Sequence, residues 1–219
     1  MTDGILLIDK PAGLTSFGVV ARIKRVLREQ AGRKVKVGHT GTLDPFATGL
    51  MILCVGKETK NAMTYTKHDK VYEATYHLGQ VSSTGDPEGE LTDVSNKKPT
   101  KSEILSAIEQ FKGEITQVPP IYSAIKIDGR RAYDLARKGE EVEIPERKVT
   151  VYEYELLDYA YPEVKVRVHV SSGTYVRSLA ADLGQALGVG AYCTQLRRTQ
   201  IAEFSVQNAQ KLADFGITD

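Results

Sequence analysis

Tryptophan is absent from this chain, cysteine occurs twice, histidine four times, and no apolar run exceeds six residues. Each scarcity excludes something. Six apolar residues fall far short of the roughly 20 that span a bilayer as a helix. The opening M-T-D-G-I-L-L-I-D-K has neither the basic start nor the long apolar core of a secretory signal. Cys54 and Cys193 are far apart in sequence, and Cys54 lies inside the apolar run, which suits buried free thiols rather than a disulfide or a redox pair. His39, His68, His77 and His169 form no metal-ligand spacing with one another or with cysteine. A phosphate loop is missing too: Gly56-Lys57 is followed by Glu58, and Met51 stands where the leading glycine belongs. The expectation is a reduced, metal-free, cytoplasmic protein. Net charge is only +1, so any affinity for nucleic acid must come from how the charge is distributed.

What is present is ordinary in bulk and uneven in detail. The 219 residues, 41% hydrophobic and 26% charged, suit one domain, or one with a modest insertion. Gly4–Ile8 reads as a short buried strand. Thr15 or Ser16 can cap a helix whose Val19, Val20, Ile23, Val26 and Leu27 share one face and which Gly32 ends. From Arg22 to Lys36 seven basic residues face a single acid, Glu29. Val71–Leu78 reads as an alternating strand, and 80–93 as an exposed polar loop. Thr100-Lys-Ser-Glu103 is a capping box, opening a helix with Ile104, Leu105, Ile108 and Phe111 inward and Gly113 at its end. Ile121–Ile127 reads as a strand and 130–138 as a short helix. This stretch sets Lys126, Arg130, Arg131, Arg137 and Lys138 beside Tyr122 and Tyr133, a mixture that fits RNA phosphates and unstacked bases. Strands follow at 149–157 and 164–170, then a helix after Arg177, a strand at 201–206 and a last helix at about 209–215. Strands and helices mix without regular βαβ alternation, so the expected class is α+β.

One stretch stands out. Gly38–Gly49 reads G-H-T-G-T-L-D-P-F-A-T-G, with one carboxylate, Asp44, and it runs straight into Leu50–Val55. Glycines let a ligand approach the main chain, and Pro45 biases Asp44 toward an extended conformation. A lone carboxylate in a partly buried loop needs a cationic partner to stay ionised. Arg177, near the start of a helix, is the best candidate.

Taken together, D-K-P-A-G-L-T-S at 9–16, the Asp44 motif, Y-S-A-I-K at 122–126, S-S-G-T-Y-V-R-S at 171–178 and L-R-R at 196–198 resemble the bacterial tRNA pseudouridine synthase B family across essentially the whole chain. The resemblance implies the pseudouridine synthase fold, a mainly antiparallel sheet flanked by helices. It implies isomerisation of the uridine at position 55, in the T-loop of tRNA, to pseudouridine, with no cofactor or metal. By residue, it implies that Asp44 is the essential carboxylate and Arg177 its partner. Tyr72 would stack on the target base, Tyr175 and Leu196 would line the uracil pocket, and His39 would fill the gap left by the flipped base. Lys10, Lys126, Arg130 and Arg131 are weaker candidates for RNA contact, Lys10 being better suited to bracing the loop. The segment 122–147 would close on the tRNA T-arm, with the protein acting as a monomer. The expected organisation is one catalytic domain over 1–219, without the family's usual C-terminal RNA-binding domain. Two rivals are a T-arm-binding folding chaperone on the same fold and a synthase for another RNA site. A glycosidase would need a second carboxylate near the motif.

Overall fold

Leu50–Val55 offers no polar side chain to solvent, so a strand made from it must be covered on both faces. The computed structural model describes residues 3–120, 123, 126–127, 130–131 and 144–217, with 126–127 and 130–131 described by backbone alone. In it β3 (Thr48–Val55) is buried at every position after Thr48. The chain divides into two compact units, the first from Met1–Tyr72 with Arg197–Asp219, the second Glu73–Leu196.

In the first unit β1 (Gly4–Lys10) runs antiparallel along one edge of β3, from Gly4 opposite Val55 to Lys10 opposite Gly49. On the other edge β2 (Val37–His39) pairs with Leu53–Val55. Beside it, Arg197 and Arg198 of β12 (Ala191–Ile201) pair in parallel with Thr48 and Gly49. Gly49 is required there. Its φ is +105°, and a Cβ on it would lie 2.3 Å from the Arg198 carbonyl oxygen. Helix α1 (Ser16–Ala31) buries Val19, Val20, Ile23 and Leu27 and ends at Gly32, left-handed with φ 63°. Thr15 is its cap, accepting from the Gly18 N–H, which leaves the Ser16 side chain for another use. Leu50, Ile52 and Ile201 centre the core, packed by Ile5, Leu7, Tyr65 and Phe204.

In the second unit the strand order is β4 (Lys70–Leu78, whose first three residues belong to the first unit), β11 (Glu163–Val170), β10 (Arg147–Ala160) and β7 (Gly113–Gln117). β10 pairs antiparallel with both β11 and β7. The alternation read in β11 holds, with Val164, Val166, Val168 and Val170 all buried. Helix α3 (Lys101–Glu109) starts at the expected capping box. Helix α4 (Val176–Ala186) buries Leu179, Ala180 and Leu183. Gly184 lets the chain return closely: a Cβ there would stand 2.2 Å from the Ala191 nitrogen. With the short helix α2 (Ala62–Thr66) and mostly antiparallel pairing, the architecture is the α+β one expected.

Several local expectations fail for identifiable reasons. β4 does not alternate: only Glu73 and His77 escape burial, because the strand is covered on both faces. α3 ends at Glu109, and Gly113 (φ 89°) opens β7 instead of closing the helix. Leu105 points outward and Ala107 inward. The region 80–93 is a hairpin of β5 (Gln80–Ser82) and β6 (Leu91–Asp93), with Asp86 buried in its turn. The strand expected at 201–206 is the end of the longer β12, a positive-φ turn at Ala202 and β13 (Phe204–Ser205). The last helix shrinks to a 3-10 turn at Leu212–Phe215. In the 122–147 segment, β8 (Lys126–Ile127) pairs with β9 (Arg130–Arg131), so no helix begins at Arg130. Tyr122, Tyr133, Arg137 and Lys138 lie outside the described residues.

Candidate active site

The first unit holds Lys10, His39, Asp44 and Tyr72. Asp44 is half-buried in the connection between β2 and β3, and its own carbonyl accepts from the Ala47 N–H at 3.2 Å. The loop around it is tied down from several sides. Ser16 Oγ accepts from the Leu43 N–H at 2.8 Å and donates to the Leu43 carbonyl at 2.9 Å. Lys10, wholly buried, donates from Nζ to the carbonyls of Pro45 (3.1 Å) and Pro11 (2.8 Å). The Gly13 N–H also donates to the Pro45 carbonyl, at 2.8 Å. An ammonium engaged with the chain's own carbonyls and removed from solvent suits bracing of the loop rather than contact with RNA.

Arg198 completes the frame from below. It is 1% exposed, and donates from Nε to the Leu50 carbonyl (2.7 Å) and from Nη2 to the Gly41 carbonyl (3.1 Å). One guanidinium thus joins the start of the buried strand to the glycine turn that carries Asp44. Lys70 lies beside it, its Nζ donating to the carbonyls of Thr66 (3.0 Å) and His68. Burial, and then the positive charge of Arg198, push the Lys70 pKa down to about 8 against the opposing pull of Asp69. Arg197, the residue before Arg198 in β12, turns the other way and forks onto both carboxylate oxygens of Asp9 (3.0 and 2.8 Å). Tyr72 is 7% exposed, and Thr199 Oγ1 donates to the carbonyl of its neighbour Val71. His39 is half-buried at the end of β2, opposite Leu53.

The second unit holds Tyr175, Arg177 and Leu196. Arg177 Nη1 donates to the Asp86 carboxylate at 2.9 Å and to the Thr84 carbonyl at 2.7 Å. The Asp86 carboxylate also accepts from Thr84 Oγ1 (2.6 Å) and the Glu88 N–H (3.1 Å). A buried ion pair is tolerated when its remaining lone pairs and protons are satisfied, and here a polar turn supplies those bonds. Tyr175 is fixed by one side chain. Gln117, 2% exposed, accepts from the Tyr175 N–H (2.7 Å) and donates to its carbonyl (3.1 Å). The Arg147 guanidinium sits over the tyrosine ring, 5.7 Å from its centroid. Leu196 is 7% exposed in β12. A cavity of about 410 Å³ is lined by Thr84, Arg177, Ser178 and Asp182 among others. Burial pushes the Asp182 pKa up to about 6.

Asp86, Gln117, Ser16 and Arg198 are the residues that sequence reasoning left without a role at the site. Ser16 and Arg198 lie inside the motifs at 9–16 and 196–198, but nothing in a linear motif says which residue turns inward. Asp86 sits in S-S-T-G-D, which reads as a turn, and Gln117 in an unremarkable β-rich stretch. Among the described residues no group of three or more His, Cys, Asp or Glu side chains could hold a metal ion, and no helix is long and apolar enough to cross a membrane.

Residues 24–176 match the model of the TruB family pseudouridylate synthase (N terminal domain), and residues 177–216 match that of the tRNA pseudouridylate synthase B C-terminal domain. The tRNA pseudouridine synthase B of Burkholderia lata is 47% identical over 212 residues, 97% of this chain and 64% of its own length. That of Phocaeicola vulgatus is 44% identical over 213 residues, 96% of this chain and 91% of its own length. Among solved structures, one in a Cbf5–Nop10–Gar1 complex has a TM-score of 0.75 at 32% identity, covering 97% of this chain and 53% of that one. Another, in an H/ACA RNP bound to a substrate RNA containing 2′-deoxyuridine, has a TM-score of 0.71 at 30% identity, over 96% and 51%. This chain therefore spans just under two thirds of the Burkholderia relative and about half of each of these structural neighbours. A family match through most of the chain, together with relatives near half identity, establishes that the chain belongs to the TruB family of pseudouridylate synthases.

Proposed function

We propose that this protein isomerises a uridine in the T-loop of tRNA to pseudouridine, with Asp44 as the essential carboxylate. The observation that carries the proposal is the support of the Asp44 loop. Ser16, Lys10 and Arg198 each spend buried hydrogen bonds on the main chain on either side of one carboxylate. Such support keeps a reacting group in place without reorganisation during the reaction.

In the reaction the N1–C1′ bond breaks, the detached uracil turns, and C5 bonds to C1′ of the same ribose. The C5 proton leaves and N1 gains one, so the product is an isomer. One carboxylate has two routes to this outcome: attack at C1′, or removal of the 2′ proton to give a glycal. Both need Asp44 ionised and fixed. Two carboxylates are required where water must be activated or admitted; here the base itself is the returning nucleophile. A base stacked in a loop has to be flipped out before a side chain reaches it, and His39 is the proposed occupant of the gap. Tyr72, Tyr175 and Leu196 are the proposed boundaries of the uracil site, and Arg177 the proposed cation for Asp44. Lys126, Arg130 and Arg131 are proposed RNA contacts. The proposed working form is a monomer.

Nucleoside analysis of a T-arm hairpin after incubation with the protein tests this reading. Pseudouridine should replace one uridine, with no free uracil. Free uracil would mark a glycosidase, and an unchanged but tightly bound hairpin would mark a folding chaperone.

A further inference from the structure

Phe17 is 74% exposed, the most exposed large apolar side chain among the described residues. Its position is not casual. Thr15 caps α1 by accepting from the Gly18 N–H, and Ser16 is bonded twice to Leu43. The backbone on both sides of Phe17 is therefore fixed. Phe17 and Asp44 are each one residue away from the joined pair Ser16 and Leu43. An aromatic ring held in water beside a catalytic loop gains nothing from folding, since the apolar area it could bury stays wet.

The same helix supplies the charge that suits a nucleic acid. Behind Phe17 on the outer side of α1 come Lys24, Arg25 and Arg28, all exposed, with Arg22 half-buried. Spacings of seven, eight and eleven residues keep the three exposed cations on the side of Phe17. At 1.5 Å per residue the track from Phe17 to Arg28 is about 16 Å long. Arg22 folds back toward the first turn, its Nη1 3.4 Å from the Gly18 carbonyl. Positions 22–36 carry a net +6 while the whole chain carries only +1. Among the described residues no carboxylate forms an ion pair with any of the α1 cations.

We propose that Phe17 is a stacking platform for an unstacked base next to the target nucleotide, and that the RNA backbone then runs along Arg22, Lys24, Arg25 and Arg28. This rests on the pseudouridine synthase reading above and adds a second binding element to it. An exposed aromatic beside cations that no carboxylate engages among the described residues is the combination that grips single-stranded RNA: the ring takes any base face and the cations take phosphates. A docking surface for a protein would not need the cationic track.

The absence of tryptophan makes the test direct. Phe17→Trp introduces the only indole in the protein, and a stacked base should quench its emission on titration with the T-arm hairpin. Affinity should stay within about threefold of the wild type. Phe17→Ala should weaken binding of the same hairpin roughly tenfold or more, the scale of losing one base–aromatic stack, with an unchanged circular dichroism spectrum. An indole that stays bright while the hairpin binds, or a Phe17→Ala protein with wild-type affinity, overturns the proposal and leaves the synthase reading standing. A Phe17→Ala protein that changes oligomeric state in sedimentation would show a contact between copies instead, and also overturns it. A wild-type protein that neither binds nor modifies the hairpin overturns both readings.

Discussion

Arg177 Nη1 lies 2.9 Å from the Asp86 carboxylate, and both side chains are about 95% removed from solvent. The pair joins the start of α4 to the turn of the β5–β6 hairpin, so the guanidinium is held in place by a side chain with no proposed part in the chemistry. Asp86→Ala removes one carboxylate from a buried ion pair, a change that typically costs about 3–5 kcal/mol; thermal unfolding reads it directly. Asp86→Asn keeps the volume and the Thr84 carbonyl contact but removes the charge. It should lose less stability than Asp86→Ala, since the amide oxygen can still accept from Arg177, yet turn over roughly a hundredfold more slowly, because the guanidinium is held less firmly. Unchanged turnover would remove the pair from the function.

Ser16 offers a cleaner test of loop support. Ser16→Ala removes no charge and little volume, but leaves both the N–H and the carbonyl of Leu43 without the hydroxyl that serves them. The expected loss is about 1–3 kcal/mol of stability, with kcat falling while the affinity for RNA stays near that of the wild type. A drop in affinity with kcat intact would mean that Ser16 serves binding rather than the placement of Asp44.

Asp182 sets a pH dependence. Its pKa of about 6 lies above its ordinary 3.8 because burial disfavours the charged form. The folded protein therefore holds a proton that the unfolded chain gives up between about pH 4 and pH 6. This group's contribution to stability is greatest below that window and is lost as pH rises through it. Asp182→Asn, neutral throughout, should be more stable than the wild type at pH 7.5 and should converge with it toward pH 4. After discounting for solvent at this partly open site, roughly 1 kcal/mol remains, or about 2–4 °C in Tm for a chain of this size. Paired calorimetry at the two pH values checks the sign.

Much of this architecture is written in local pattern. The Leu50–Val55 run could only be a covered strand, the Val164–Val170 alternation could only be a half-wet one, and the Thr100–Glu103 box opened α3 where expected. Local pattern failed where tertiary packing overrode it. β4 lost its alternation because both its faces are covered, and Leu105 faces solvent although its helical neighbours Ile104 and Ile108 do not. The site divides the same way. Asp44 was visible as the one carboxylate in a glycine-rich loop. The groups that brace the candidate residues within each unit, Ser16 on Leu43 and Arg198 on Gly41 in the first, Asp86 on Arg177 and Gln117 on Tyr175 in the second, act across 27 to 157 residues of chain. Contacts at such separations leave no periodicity for a sequence to show.

The central claim is that Asp44 drives uridine isomerisation, and loss of the C5 proton is its most direct sign. A T-arm hairpin carrying tritium at C5 of its uridines, incubated with the wild type and with Asp44→Asn, reads it in one experiment. The account predicts tritium release by the wild type, none by Asp44→Asn, and equal retention of the hairpin by both proteins. Comparable release by Asp44→Asn, or none by a wild type that still holds the hairpin, would contradict it.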